Sequence, residues 1–311
     1  MSTLTAPLAP AATMTERARA WCRRRYLPSF VVAALTGLVV WAAVVDLDRH
    51  SDVGAVLAGG RAELAAPGLI AVIILAVICE RLWPAERRPA LARGHLQDAG
   101  FLVLYATTVV PLMTLLGVGF AALLADHARW LETGWTARWP DWLAVSVTLV
   151  AMDGANWLAH YADHRIAPLW RLHAVHHSQE ELSVLTSFRA HPLVHTTGFL
   201  LATVPVVVLL GDRSIAPVLI TGYVCLGTLT HTNVAWAFGP FGRVVVSPAY
   251  HRLHHSLDGS QGRNLGIVLT IWDVMSGRAR FPVAGEPACR TGLDGRPLAV
   301  EQSGTKQLPL F

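Results

Sequence analysis

Histidines at helical spacing constrain this chain more than any other feature. Eleven of its fourteen histidines fall between His160 and His255, in HYADH (160–164), HAVHH (173–177), HPLVH (191–195), a lone His231 and HRLHH (251–255). Four of these clusters place imidazoles three or four positions apart, which is one helical turn and so one helix face. A single histidine on an apolar face is ordinarily a hydrogen-bonded interior residue. Two H-x-x-H-H clusters and an H-x-x-x-H are a different case, because they crowd eight imidazoles together if the segments meet. Without a cation, several would become buried donors or acceptors lacking partners, at about 1–3 kcal/mol each. Neutral imidazole is the commonest protein metal ligand, so the pattern predicts metal binding. Eight or nine nitrogens exceed one coordination sphere, which predicts two metals.

The rest of the chain says where such a site lies. Of 311 residues, 53% are hydrophobic and 15% charged, against about 25% charged in soluble domains; much of the surface therefore faces something other than water, and a membrane protein is expected. Cys22, Cys79, Cys225 and Cys289 form no C-x-x-C pair, so neither a disulfide framework nor a thiolate metal site is signalled. The net charge of +4 is almost wholly arginine, with Lys306 the one lysine. No basic stripe with interleaved aromatics points to nucleic acid.

Apolar stretches predict an all-α, integral-membrane helical bundle of about four spans plus a short apolar hairpin. The spans are Phe30–Val45, Leu69–Cys79 extended back through Ala65, residues 100–125 with room to tilt or kink near Pro111, and Trp142 to about Leu158; the hairpin is Thr196–Leu210 with Ile215–Leu229. Residues 1–28 read as a disordered, basic N-terminal segment, 29–285 as the membrane-embedded domain, and 286–311 as a loose C-terminal tail. Arginines precede span one (Arg17 to Arg25) and follow span two (Arg81, Arg87, Arg88, Arg93), whereas Asp46, Asp48, Asp52 and Glu63 lie between them. The positive-inside rule then puts the N-terminus, and every histidine cluster after span four, on the cytoplasmic face. Asp153, Asn156, His160 and His164 form one stripe on span four. Since ionisable groups in a span usually face an interior or cavity, Asp153 is expected to sit behind the ligands and accept an imidazole N–H, the alternative being an interhelical hydrogen bond that only packs helices.

The ordered set Asp153, His160, His164, His173, His176, His177, Arg189-x-His191-Pro192, His231-x-Asn233, His251, His254, His255, Asn264-x-Gly266 and Ile271-Trp272-Asp273 resembles the membrane-bound fatty acid hydroxylase/sterol desaturase superfamily. The resemblance covers about half the chain. It implies a histidine-ligated pair of iron ions at the cytoplasmic membrane surface, with O2 as co-substrate and hydroxylation or desaturation of a lipidic C–H bond. Its ligand candidates are His160, His164, His173, His176, His177, His231, His251, His254 and His255, with Asp153, Asn156, His191, Asn233 and Asp273 as supporting groups behind them. Tyr161, Val194 and the closing Val274-Met275-Ser276-Gly277-Arg278 depart from the family's usual pattern, which bears on substrate and subfamily; His195 has no clear counterpart.

Two other chemistries fit the pattern less well. Zinc hydrolysis normally needs three ligands, an open position and a nearby carboxylate base, as in H-E-x-x-H, which is absent here, although zinc could substitute for iron in a histidine site. Haem electron transfer uses isolated histidines inside paired spans, not clusters at a membrane face. Nothing resembles a flavin, nicotinamide, Fe–S or cytochrome domain, so electrons must come from an external donor of the ferredoxin or cytochrome type.

Overall fold

The computed structural model describes residues 67–88, 93–128, 130, 136–210, 217–257, 260–283 and 287–293. The expected first span and the basic N-terminal segment lie outside them. Among the described residues the fold is helical, with only isolated β-bridges such as Val245 with Leu269.

Helix α1 is Pro67–Leu82, opened by a proline where a missing N–H costs nothing. Helix α2, Arg93–Leu104, continues through a π-helical turn, Tyr105–Val109, into α3, Val110–His127. The irregularity expected near Pro111 is thus a π turn just before it, which accommodates a residue unable to donate to the preceding turn. Helix α4, Asp141–Arg165, is the one described helix long and apolar enough to cross a membrane; Gln97–Met113 and Pro192–Val206 are shorter apolar stretches. Ile166 is extended and precedes α5 (Ala167–His177), whose first turn carries Pro168, and α5 packs against α4. A 3-10 turn, Val184–Phe188, leads into α6 (Pro192–Leu210) and α7 (Pro217–Leu229), the stretches read as an apolar hairpin; α6 packs on α4 and α3, and α7 on α1. Two short helices, α8 (Pro248–His254) and α9 (Ile271–Met275), complete the fold.

The polarity is inverted relative to a water-soluble bundle. On α1 the side chains of Ile74 and Leu75 are 55% and 59% exposed, while the largest fully buried side chains include Arg189, His177, His254, His255 and Asn264. Burying charges while exposing aliphatic residues is unfavourable in water and natural where hydrocarbon surrounds the helices. The longest helix, α4, lies against α6 and α5, and that packing brings the end of α4 over the histidines of α5.

Residues 287–293, read from the sequence as the start of a loose tail, are instead placed against the interior, a correction to that expectation. Gly292 N–H donates to the His255 carbonyl at 3.3 Å, Thr291 Oγ1 to the Glu180 carbonyl at 3.0 Å, and Leu257 N–H to the Arg290 carbonyl at 2.9 Å. A stretch whose backbone groups are paired to a buried element is fixed whatever its composition suggests.

Candidate metal centre

The nine candidate histidines converge in two groups. His160, His164, His173, His177 and His254 form one; His176, His231, His251 and His255 form the other; within each group one ring nitrogen from every residue lies within 4.8 Å of the rest. Helix geometry explains the partition. At 100° per residue, positions i and i+4 are 40° apart, whereas i+3 points about 60° to the other side. On α5, His173 and His177 therefore face one group and His176 the other. On α8 the same rule sends His251 and His255 to the second group and His254 to the first, so the two H-x-x-H-H helices each lend one ring to the other's set. Helix α4 supplies His160 and His164 one turn apart, and His231 follows α7.

Hydrogen bonds on the far side of several rings settle which nitrogen faces inward. His160 Nδ1–H donates to the Leu265 carbonyl at 2.8 Å, His254 Nδ1–H to the Arg263 carbonyl at 2.8 Å and His176 Nδ1–H to the Arg189 carbonyl at 3.1 Å. Ser187 Oγ–H donates to the Thr228 carbonyl at 2.9 Å, so its oxygen accepts His231 Nδ1–H, also at 2.9 Å. Each of these rings then presents a bare Nε2 lone pair to the interior. His176 Nε2 and His231 Nε2 nonetheless stand 3.0 Å apart. Two lone pairs at that distance repel, and protonating one ring is opposed by burial, which pushes His176 down to about 3 and His231 well below the usual imidazole range. A cation between them removes the conflict. Further Nε2 pairs lie at 3.0 Å (His231 with His251), 3.1 Å (His160 with His173, His173 with His177) and 3.3 Å (His251 with His255). These match the roughly 3.0 Å edge subtended by two metal–imidazole bonds of about 2.0–2.1 Å at a right angle. The buried Nε2 atoms of His164 and His254 have no hydrogen-bond partner. This donor set fits two divalent cations with an all-imidazole preference.

The expected supporting residues divide. Asp153 was expected behind an imidazole; its carboxylate accepts instead from Tyr223 Oη, the Val268 and Leu269 N–H groups and Trp272 Nε1, at 2.9–3.1 Å. It ties α4 to the turn before α9. Among the described residues, Asp163 Oδ2 stands 3.9 Å from His173 Nδ1, beyond hydrogen-bond reach. Asn156 donates to the Met152 carbonyl and to Tyr223 Oη, supporting Asp153 and touching no ligand candidate. Asp273 reaches the site through backbone: it accepts from the Leu265 and Gly266 N–H groups, Tyr250 Oη and Trp157 Nε1, and so fixes the Leu265 carbonyl that holds His160. A Cβ on Gly266 would meet the Leu269 carbonyl oxygen at 2.6 Å, so only glycine lets the chain pass there. Asn233 accepts from Arg252 Nη2 at 2.6 Å, securing the helix that carries His251. His191 and His195 belong to neither group; His191 Nδ1 accepts from Leu193 N–H, and the His195 ring packs edge-on to Tyr105.

The sequence reading named Arg189 but not the buried groups around it. Asp98 and Arg189 form a 2.9 Å ion pair with side-chain exposures of 0% and 2%. Asp98 also accepts from Gln179 and Thr186, while Arg189 donates to Val175, Ser178 and Gln97 and presents the carbonyl that holds His176. Glu80 accepts from the Val184 and Asn233 N–H groups at 2.7 and 2.9 Å. The available signal was an isolated acid within an apolar helical stretch; Ser187 and the backbone carbonyls carried none.

Residues 145–278 match the family described as fatty acid hydroxylase. The chain is 27% identical over 218 residues to the ornithine lipid hydroxylase OlsE of Rhizobium tropici, covering 68% of this chain and 66% of that protein. It is 28% identical over 153 residues to the alkylglycerol monooxygenase of Danio rerio, covering 49% and 33% of the two chains. Identity is 28% over 157 residues to the Caenorhabditis elegans alkylglycerol monooxygenase, covering 48% and 29%. The chain thus spans less than two thirds of the length of these curated relatives. No solved structure matches it.

Proposed function

The chain belongs, through residues 145–278, to the fatty acid hydroxylase superfamily, and from that premise we propose that it is a membrane-bound, O2-dependent non-haem di-iron hydroxylase acting on a C–H bond of a lipid. The observation that carries this reading is the 3.0 Å approach of two inward Nε2 lone pairs on His176 and His231, inside a double set of nine buried or half-buried imidazoles. One iron would be held by His160, His164, His173, His177 and His254, the other by His176, His231, His251 and His255. Two iron ions, when bound, supply the oxygen reduction and C–H oxidation that no side chain here can perform. The overall balance is RH + O2 + 2 e⁻ + 2 H⁺ → ROH + H2O, with the electrons from a separate ferredoxin- or cytochrome-type protein.

The chain's own residues do the rest. Leu265, Arg189 and Arg263 carbonyls and Ser187 hold imidazole N–H groups so that the opposite nitrogens stay deprotonated and aimed. The strap at residues 287–293 covers His255 and helps exclude water, which strengthens each electrostatic interaction inside. The apolar outer faces of α1 and α4 favour a multi-pass membrane protein, and the arginine distribution favours a cytoplasmic site. Relatives named for ornithine lipid and alkylglycerol substrates support a polar-headed lipid.

Purified protein is expected to hold about two iron ions per chain, and cells expressing it to show a lipid gaining one oxygen atom that derives from ¹⁸O2. One zinc and no iron, with turnover independent of O2, would overturn the reading.

A further inference from the structure

A pocket of about 360 Å³ opens at the end of α1, and no residue in it is a ligand candidate. Arg81, Arg87, Arg88 and His95 line it together with Glu80, Glu86 and Asn233. Its carboxylates are already committed. Glu80 accepts from two backbone N–H groups, and Glu86 is shared between Arg88 and, at 3.4 Å, Arg252. Counting Arg252 behind the Asn233 wall and Glu181 beside Arg88 and His95, four guanidinium groups stand against three carboxylates. Guanidinium groups recognise carboxylate and phosphate through paired N–H donors.

We propose that this pocket holds the anionic group, carboxylate or phosphate, of a lipid headgroup. Its volume sits at the small end of ligand pockets, roughly 300–1,000 Å³, which suits a headgroup and not a whole lipid. The lipid's remainder has a place on the same element: Ile74, Leu75, Ile78 and Leu82 of α1 are exposed and lead to Arg81 at the rim. The pocket also adjoins the metal centre. Asn233 follows His231 by two residues and binds the Arg252 guanidinium beside His251. A headgroup held here is therefore seated next to the four-histidine group. The inference rests on the lipid-hydroxylase reading above and adds which end of the lipid is recognised.

The test is direct binding to the full chain, purified in neutral detergent with its metals and without an electron donor. Dihexanoylphosphatidic acid is titrated, with dihexanoylphosphatidylcholine and inorganic phosphate as comparison ligands. The phosphatidic acid is expected to bind at least tenfold more tightly than either. Arg87→Gln, which removes an exposed side chain, should weaken it about fivefold or more without moving the unliganded unfolding midpoint, and Arg81→Gln is the second variant should the first not fold. Equal binding of the choline lipid, or unchanged affinity in a folded variant, would overturn the pocket. Inorganic phosphate binding as tightly as the lipid would overturn the lipid as its occupant. Arginine-dependent binding in a chain that never hydroxylates would count against the proposed function alone; a hydroxylating chain that shows no such binding would count against the pocket alone.

Discussion

Replacing Asp98 by alanine tests the interior in a way no histidine substitution can. The carboxylate is 0% exposed and accepts three side-chain hydrogen bonds, from Arg189 Nη1 at 2.9 Å, Gln179 Nε2 at 2.8 Å and Thr186 Oγ1 at 2.9 Å. Its loss leaves the Arg189 guanidinium, 2% exposed, with the neutral groups of Gln97, Val175 and Ser178 around it. Removing one partner of a buried ion pair costs about 3–5 kcal/mol, because the other charge stays desolvated. At roughly 2–4 °C per kcal/mol for a domain of this size, the unfolding midpoint should fall by about 6–20 °C. Arg189 also supplies the carbonyl that orients His176, so metal affinity should drop about 10- to 100-fold, the usual cost of losing support behind a ligand. The assay is thermal unfolding at one scan rate in one detergent, with metal content measured on the same samples. Asp98→Asn, which keeps the shape and part of the bonding, should fall between wild type and alanine. A midpoint within about 2 °C of wild type with unchanged metal would show that the pair is not in a dry interior, and the account of how His176 is held would fail.

Further expectations follow from the same geometry. His176→Ala and His254→Ala should each abolish metal retention, while His127→Ala, on an exposed end of α3, should leave it intact, and His195→Ala should keep its metal and lose at most part of its activity; equal metal loss in the His127 and His176 variants would sink the two-group assignment. Burial holds His173, His176, His177, His231, His251, His254 and His255 below the ordinary imidazole value, so the unfolded chain binds more protons than the folded one once pH drops below about 6.5. Metal-free protein should therefore be fully stable above that pH and lose stability as pH falls toward the folded value of about 3 for His176, and a flat unfolding midpoint from pH 7 to 4.5 would refute the burial argument. Single cysteines at positions 87 and 258 should label from the same side of the membrane, and labelling from opposite sides would refute the proposed orientation.

The sequence alone determined which histidines can share a helix flank, because 3.6-residue periodicity puts rings three and four apart on one side whatever the helix packs against. It also determined the helical architecture, since an apolar stretch in hydrocarbon must satisfy its backbone internally. What periodicity could not supply was the partner across the gap. His176 and His254 each join the opposite helix's group, and that exchange depends on the crossing of α5 and α8, set by contacts distant in sequence. Asp153 does not take the role expected of it because the stripe on α4 faces the Val268–Trp272 turn at one end and the imidazoles at the other, so its carboxylate is used by that turn. Leu265, Arg189 and Arg263 hold ligands through carbonyls that every residue possesses, so side-chain identity left no trace of them. Residues 287–293 read as loose by composition and are fixed by backbone pairing to His255 and Glu180, a long-range contact that local composition cannot encode. Spacing along the chain sets which face a ring occupies, and only the tertiary fold decides which other rings gather at that face.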